Sequence, residues 1–392
     1  MRSAIATATR KWSTGVSVCL LVLLLGTAAW AQGTQNATGL TLQEAYRRAM
    51  SRNQDIASSR ENVVQARKDL TRAASGLYPQ LSARGEYTRQ KELREDTTDP
   101  RTGETISGTP EKYGTASLQL DQHLYQWGKR WSGREAAKES LQGSRAEHYR
   151  TVQQVLFRVA SSYYEVLLGR RSIQIAESAL ERARTQLERA RSRREVGVAT
   201  QTDVLRAEVQ VAQTEEQLER ARNQYDVARE DLALEMGVDQ ISHKLEHPGK
   251  REMAADATMR SLYSRAMANR KDLEGLANRI EAARANREGE EADYFPRLSA
   301  HGSYTRTDEP DIFQDNREDW SASLRLTYPL FTGGREKAQL EKARSELMQV
   351  RTERRRLQRE IRQQVRSVYL DLQTQQSVIR QLEKQVESAK RN

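Results

Sequence analysis

The sequence predicts a mainly α-helical chain with transmembrane β-strands, built as a duplicated helix–strand–strand–helix protomer with long coiled-coil hairpins. Three observations carry that prediction. Blocks of sequence recur at a fixed offset, four short segments alternate apolar and polar residues, and two long stretches place apolar residues at heptad spacing.

The first 31 residues stand outside this fold. Arg2, Arg10 and Lys11 precede a short apolar run from Val16 to Leu25, and Ala29-Trp30-Ala31 supplies small residues at the cleavage positions, so residues 1–31 read as a secretory signal. The apolar run is too short for a membrane-spanning helix, which needs about 20 residues. Cys19, the only cysteine, lies inside this leader, and Val18 before it argues against a lipoprotein box. The mature chain then has no disulfide and no thiolate metal site, which suits a bacterial envelope protein. Hydrophobic residues make up 37% and charged residues 30%, with 7 prolines, a balance that favours long solvated helices over one large globular core. The charge of +10 falls to +7 without the three leader cations. Export, and the alternation of cations with acids, argue against nucleic acid as a partner.

The repeat organises the rest. Tyr46-Arg47-Arg48-Ala49-Met50 returns as Tyr263-Ser264-Arg265-Ala266-Met267, 217 positions on. The stretch from Pro79 to Arg89 returns at the same offset as Pro296 to Arg306. Leu124 to Gly128 then matches Leu330 to Gly334 at an offset of 206, so the intervening loop is shorter in the second copy. Each copy opens with a helix. In the first, Leu42 to Leu70 reads as helical, with Thr41 as N-cap and Glu44 three residues later.

After Pro79 the period changes from 3.6 to 2. Leu81, Ala83, Gly85 and Tyr87 oppose Gln80, Ser82, Arg84, Glu86 and Thr88, and Ala116, Leu118 and Leu120 alternate with Ser117, Gln119 and Asp121. The second copy repeats this with Leu298, Ala300, Gly302 and Tyr304, then with Ala322, Leu324, Leu326 and Tyr328. Strands of about ten residues are long enough to cross a membrane at a tilt. Soluble hairpins packed on a helix are the plainer alternative. The aromatic strand ends Tyr78, Tyr125, Trp127, Phe295, Trp320, Tyr328 and Phe331 favour a lipid-facing barrel. Four strands cannot close a barrel, and lipid does not tolerate open sheet edges, so several chains have to share one.

The helix after the first hairpin carries a heptad seam from Val152, Val155 and Val159 to Leu187 and Ala190, and the return helix continues it from Val204 and Ala207 to Leu232. From Arg134 to Glu195 such an arm extends about 90 Å at 1.5 Å per residue. The tip between the arms, residues 195–205, holds Gly197, suited to a left-handed helix terminator, and Thr200 or Thr202 as the next N-cap, with Asp203 in the first turn. The basic stretch from Arg351 to Arg366 carries Ile361 and Val365 at helical spacing and reads as a solvated helix face. The expected organisation is a first-repeat helix at 32–77, a β-hairpin at 78–127, a helical hairpin at 128–236 and a linker at 237–262. A second-repeat helix at 263–294, a second β-hairpin at 295–331 and a long helix at 332–392 follow.

No catalytic, cofactor or metal site is expected. His243 and His247 stand four apart, but Glu246 is not where a zincin motif needs it and Pro248-Gly249 ends any helix. Gly333-Gly334 lacks the further glycine and the lysine of a phosphate loop, and reads as the point where the chain leaves the barrel. His123 and His301 read as lumen-lining strand residues.

Together these residues closely resemble the TolC, or outer membrane efflux protein, family over essentially the whole mature chain. The resemblance rests on Leu40-Thr41-Leu42-Gln43-Glu44-Ala45, on Tyr78-Pro79-Gln80-Leu81, on the run from Gly197 to Leu205, and on Tyr328 to Gly334, in that order and spacing. It implies a homotrimer in outer-membrane lipid with a shared twelve-stranded β-barrel and a helical periplasmic tunnel. It also implies a passive conduit, no enzyme, that docks on a periplasmic adaptor and an inner-membrane pump or secretion ATPase. By that resemblance Gly197, Val204 and Leu205 match the adaptor-docking motif, and Thr202 and Asp203 help hold the entrance shut. The second copy is expected to run on past Asn392 into its own tip turn and return helix, so the sequence reads as cut short. The alternative is a periplasmic coiled-coil adaptor without a pore, but an adaptor carries one helical hairpin between lipoyl-like and barrel segments, not two copies with strands of this length.

Overall fold

The computed structural model describes residues 39–89, 97–98, 101, 105–106, 112–248, 258–308 and 317–391. The leader lies outside the described residues. The order is α1 (Leu42–Arg52), α2 (Gln54–Ser75), β1 (Gln80–Arg89), β2 (Thr97–Thr98), β3 (Thr105–Ile106), β4 (Lys112–Tyr125), α3 (Lys129–Glu195) and α4 (Gln201–Met236). There follow α5 (Met259–Asn269), α6 (Lys271–Glu291), a single 3-10 turn, β5 (Arg297–Asp308), β6 (Arg317–Thr327) and α7 (Arg335–Arg391). The duplication is literal in these bounds. Leu42 and Met259, Gln54 and Lys271, and Gln80 and Arg297 open matching elements 217 apart, and Lys129 and Arg335 open α3 and α7 206 apart.

The opening helix differs from the sequence expectation. Leu42 to Leu70 is not one helix: the chain breaks at Asn53, which is extended (φ −65°, ψ 131°) and accepts from the Asp55 and Ile56 amides to start α2. An amide side chain that competes for backbone donors beats the 3.6 period locally. Its Nδ2 donates to the Glu235 carbonyl (2.9 Å), which ties the break to the end of α4. The second copy breaks at the matching residue, Arg270, and its helical segment begins at Met259 under a Thr258 cap, earlier than residue 263.

The core sits where α1, α3 and α4 meet, around Ala45, Ala49, Val155, Val159, Val166, Leu232 and Met236. Tyr163 lies in its centre. Its hydroxyl is 2.7 Å from the buried Leu40 carbonyl and 2.5 Å from the part-buried carbonyl of Glu246, so one proton serves two acceptors. Burial pushes this phenol above its ordinary pKa, and the nearby Glu246 charge adds to the shift. Along the arms the seam is closed as the heptads require: Val155, Val159, Leu180 and Ala183 of α3 and Val204, Thr214, Leu218, Ala221 and Leu232 of α4 are buried. At 67 residues, α3 is about 100 Å long.

The sheet has the order β1-β4-β5-β6, all neighbours antiparallel, so β1 and β6 are its edges. The β4–β5 pair joins the two copies, with Leu118 opposite Tyr304 and Leu120 opposite Gly302.

Candidate functional site: the two-faced sheet and the arm tip

Register and the two-residue strand period sort the side chains. On one face stand Leu81, Ala83 and Tyr87 of β1, Leu118 and Leu120 of β4, Leu298 and Tyr304 of β5, and Trp320, Leu324 and Leu326 of β6. On the other stand Ser82, Arg84 and Glu86, then Ser117, Gln119 and Asp121, then His301, Ser303 and Thr305, then Ser321, Ser323 and Arg325. The apolar face is not a core. Trp320 is 79% exposed, Leu324 71% and Leu81 70%, so these side chains meet whatever surrounds the sheet. On the polar face His301 Nδ1 lies 2.6 Å from Asp121 Oδ1, and the Ser303 and Ser321 hydroxyls are 2.8 Å apart. His123 shares that face, opposite Ser299.

Both copies leave the sheet through left-handed residues. Gly333 (φ +66°) and Gly334 (φ +85°) do so in the second, and Trp127 (φ +47°) with Gly128 (φ +86°) in the first. A bulky residue in that conformation is a strained choice. The Trp127 ring stacks on Phe295 (4.7 Å) and packs edge-on to Tyr125 (5.4 Å), an aromatic cluster at the sheet's helical end. The alternation identified Trp127 as a strand-end aromatic but gave no sign of its backbone.

At the far end of the arms, α3 stops in a Schellman turn. The Val198 amide donates to the Arg193 carbonyl (2.8 Å) and that of Gly197 to Arg194 (2.9 Å), with Gly197 at φ +77° and open space where a Cβ would point. Of the two candidate caps, Thr200 takes the role and Thr202 does not: Thr200 Oγ1 accepts from the Asp203 amide. Asp203 Oδ2 in turn accepts from the Thr200 hydroxyl (2.7 Å) and amide (2.9 Å). Those two bonds, the hydroxyl first, hold the Asp203 carboxyl below the usual aspartate pKa. Val204 is buried in the seam at 3% exposure, while Val196 (74%), Val198 (78%) and Leu205 (50%) form the apolar surface of the tip. The sequence singled out Gly197, Val204 and Leu205; it missed Val196 and Val198, whose outward aim follows from the turn and not from any periodicity.

A sheet with one lipid-like and one polar face, continued by a 67-residue helix about 100 Å long, defines a protomer of an envelope-spanning channel. The chain belongs to the outer membrane efflux protein family, whose sequence profile matches residues 45–238 and 262–392. It is 26% identical over 360 residues to the outer membrane efflux protein BepC of Brucella suis, spanning 91% of this chain and 74% of that one. To the alkaline protease secretion protein AprF of Pseudomonas aeruginosa it is 23% identical, over 91% of this chain and 74% of the relative. In fold it is similar to the outer membrane protein VceC of Vibrio cholerae, with a TM-score of 0.74 at 19% identity, across 89% of this chain and 83% of that one. It is therefore a channel component of a tripartite efflux or secretion system in the outer membrane, with its helical part in the periplasm, and not an enzyme.

Proposed function

We propose that three copies of this chain close one twelve-stranded barrel, with residues 78–127 and 295–331 in the membrane and the helical hairpin at 128–236 in the periplasm. The observation that carries this is the sheet itself: four strands with one apolar face and two unpaired edges. In hydrocarbon an unpaired backbone group costs several kcal/mol, so the edges need partners and only closure provides them all. The arm tip is the docking surface for a periplasmic adaptor, which in turn serves an inner-membrane pump or secretion ATPase. Val196, Val198 and Leu205 supply its apolar contact, Gly197 its turn, and Val204 supports it from within the seam. Thr202 and Asp203 face the entrance and help keep it closed.

Cell fractionation tests the reading. The full-length protein is expected in the outer membrane as a trimer that needs detergent to stay in solution. A soluble periplasmic monomer would return the adaptor reading to first place.

A further inference from the structure

The groove between α6 and α7 is where the second half departs from the first in charge. Ile280 and the half-exposed Met348 form its floor, and Arg284 of α6 with Arg351, Arg354 and Arg355 of α7 lines a volume of about 420 Å³. Glu281 is the one carboxylate among the lining residues, and it is already paired with Arg284 (2.6 Å). Arg355 bonds the Thr352 hydroxyl (3.1 Å), while Arg351 and Arg354 meet no carboxylate among the described residues. The first half is built differently at the same offsets. Arg284 and Arg351 correspond to Arg67 and Arg145, but Arg354 corresponds to His148, Arg355 to Tyr149 and Met348 to Gln142. His148 is taken up by the Ser59 hydroxyl (2.8 Å), and Tyr149 lies under Lys271. The basic groove occurs once per chain.

Further along α7, Arg362 lies over the Tyr263 ring of α5 (5.2 Å). Arg351, Arg355 and Arg362 follow one another at steps of four and seven, which is one face of a helix. The groove therefore opens on the side of α7 that carries α5. Helices α2, α3, α6 and α7 neighbour one another in that order, with α1 against α3 and α5 against α7. A layer of this kind rolled into a tunnel has room for added helices on its convex side, so the groove faces outward. Arg351 lies 16 residues beyond Arg335, the start of α7, or about 24 Å from the sheet end. That is about three Debye lengths at physiological salt, so lipid phosphates do not satisfy these charges.

We propose that this groove is the docking site for an acidic amphipathic helix of a periplasmic protein, laid between α6 and α7 with its carboxylates on the arginines. Two features select that occupant. Guanidinium groups on both banks match carboxylates in bidentate geometry. The apolar floor takes the aliphatic side chains that a helix in a groove presents at i, i+3 and i+4. A polysaccharide or a free phosphate would use the arginines and leave Ile280 and Met348 uncovered. The site is also remote from the arm tip: Arg145, the counterpart of Arg351, stands 50 residues before Glu195, about 75 Å by helix rise. Its occupant does not compete with an adaptor there. A ring of three copies offers three such sites, a count that rests on the trimeric reading above.

Peptide binding to the full-length protein in phosphatidylcholine nanodiscs, with empty nanodiscs as the blank, tests the proposal. The probe is a synthetic helix with leucine on one face and glutamate on the other. It is compared with a scrambled peptide of the same composition, with polyglutamate, and with the same helix carrying lysine for glutamate. The acidic helix is expected to bind once per chain and more tightly than the other three. Replacing Arg351, Arg354 and Arg355 together by Gln is expected to weaken it about tenfold, the combined loss of three exposed ion pairs. Met348→Gln is expected to weaken the helix about threefold through lost apolar contact and to leave polyglutamate unchanged. The pair Arg67→Gln with Arg145→Gln is expected to have no effect. Replacing the same three α7 arginines by Glu is expected to reverse the preference toward the lysine helix, which also shows that the groove is intact. Equal binding of the scrambled peptide or polyglutamate would reduce the groove to a plain anion patch and overturn the proposal. So would binding that the triple Gln variant leaves unchanged, two helices per chain, or no binding. One helix per chain on a protein of monomeric mass keeps the docking site and removes only the trimeric reading.

Discussion

The two halves share an order of elements and differ at the helix break. In the first half Asn53 caps α2 and bonds the end of α4, while Arg158 of α3 reaches Glu235 (2.8 Å) and Asp55 (2.6 Å). In the second half the guanidinium has changed sides. Arg270 stands where Asn53 does, bonds Asp272 (2.7 Å), and reaches Gln364 (2.7 Å), the counterpart of Arg158 on α7. Burial alone would raise the Asp272 pKa, but the Arg270 bonds and charge and the Arg150 charge outweigh it, and the carboxyl sits below its usual value. Both halves therefore fasten an aspartate two residues past the break to an arginine and join the break to the long helix. The spatial pattern is kept while the residue that supplies the charge moves. The packing is not shared equally: Val155 and its counterpart Ile361 are both fully buried, yet Tyr163 is buried and its counterpart Tyr369 only half-buried.

The sharpest way to break the first half is at Gly237. It ends α4 in the left-handed region (φ +67°), as Gly197 ends α3, but a Cβ on Gly237 would lie 2.5 Å from the Arg52 carbonyl oxygen and 3.0 Å from the Asn53 nitrogen. Gly197→Ala meets only the left-handed strain of about 1–2 kcal/mol. Gly237→Ala adds overpacking of about 1–3 kcal/mol against backbone that cannot rotate away. Thermal unfolding of the two variants is expected to show a drop at Gly237 at least twice that at Gly197. Equal drops would mean that the arm's end is not held against the α1–α2 break.

A smaller effect separates the two tyrosines. Tyr163→Phe removes the hydroxyl that donates to the Leu40 and Glu246 carbonyls, Leu40 keeping the Glu246 amide (3.1 Å), and loss of such a hydrogen bond costs about 0.5–1.5 kcal/mol. Tyr369→Phe is expected to leave the melting temperature unchanged. Were both variants silent, the half-specific core would carry little of the stability.

These contrasts mark what a reader of the sequence could reach. The duplication, the alternating faces and the arm seams were legible because each is a period, and a period survives without knowledge of partners. The break at Asn53 was not, because it depends on one side chain taking donors from its own backbone and a carbonyl from Glu235, 182 positions away. Tyr163 escaped for a related reason: it lies beside the heptad seam, and its burial comes from the segments around Leu40 and Leu245 folding across it. At the tip the cap and the terminator were readable from residue type, whereas the exposure of Val196 and Val198 needed the turn geometry.

The smallest expected effect on stability tests the tip, where two roles of Asp203 compete. Its carboxylate closes the capping box with Thr200, and by the reading above it also helps hold the entrance shut. Thr200→Val removes the cap's hydroxyl and leaves the carboxylate; Asp203→Ala removes the carboxylate. If the gate role is real, Asp203→Ala raises single-channel conductance and vancomycin sensitivity, and Thr200→Val does neither. Equal leakage in both variants would reduce Asp203 to a helix-start residue. The pH dependence gives an independent check. A carboxyl whose folded pKa is depressed contributes fully above its unfolded value of about 3.9 and loses that contribution as pH falls through the lower folded value. Between pH 7 and 5 the wild-type tip should therefore keep its conductance, and only stronger acid should move it toward that of Asp203→Ala. A change already complete at pH 5 would assign the gate to other titrating groups.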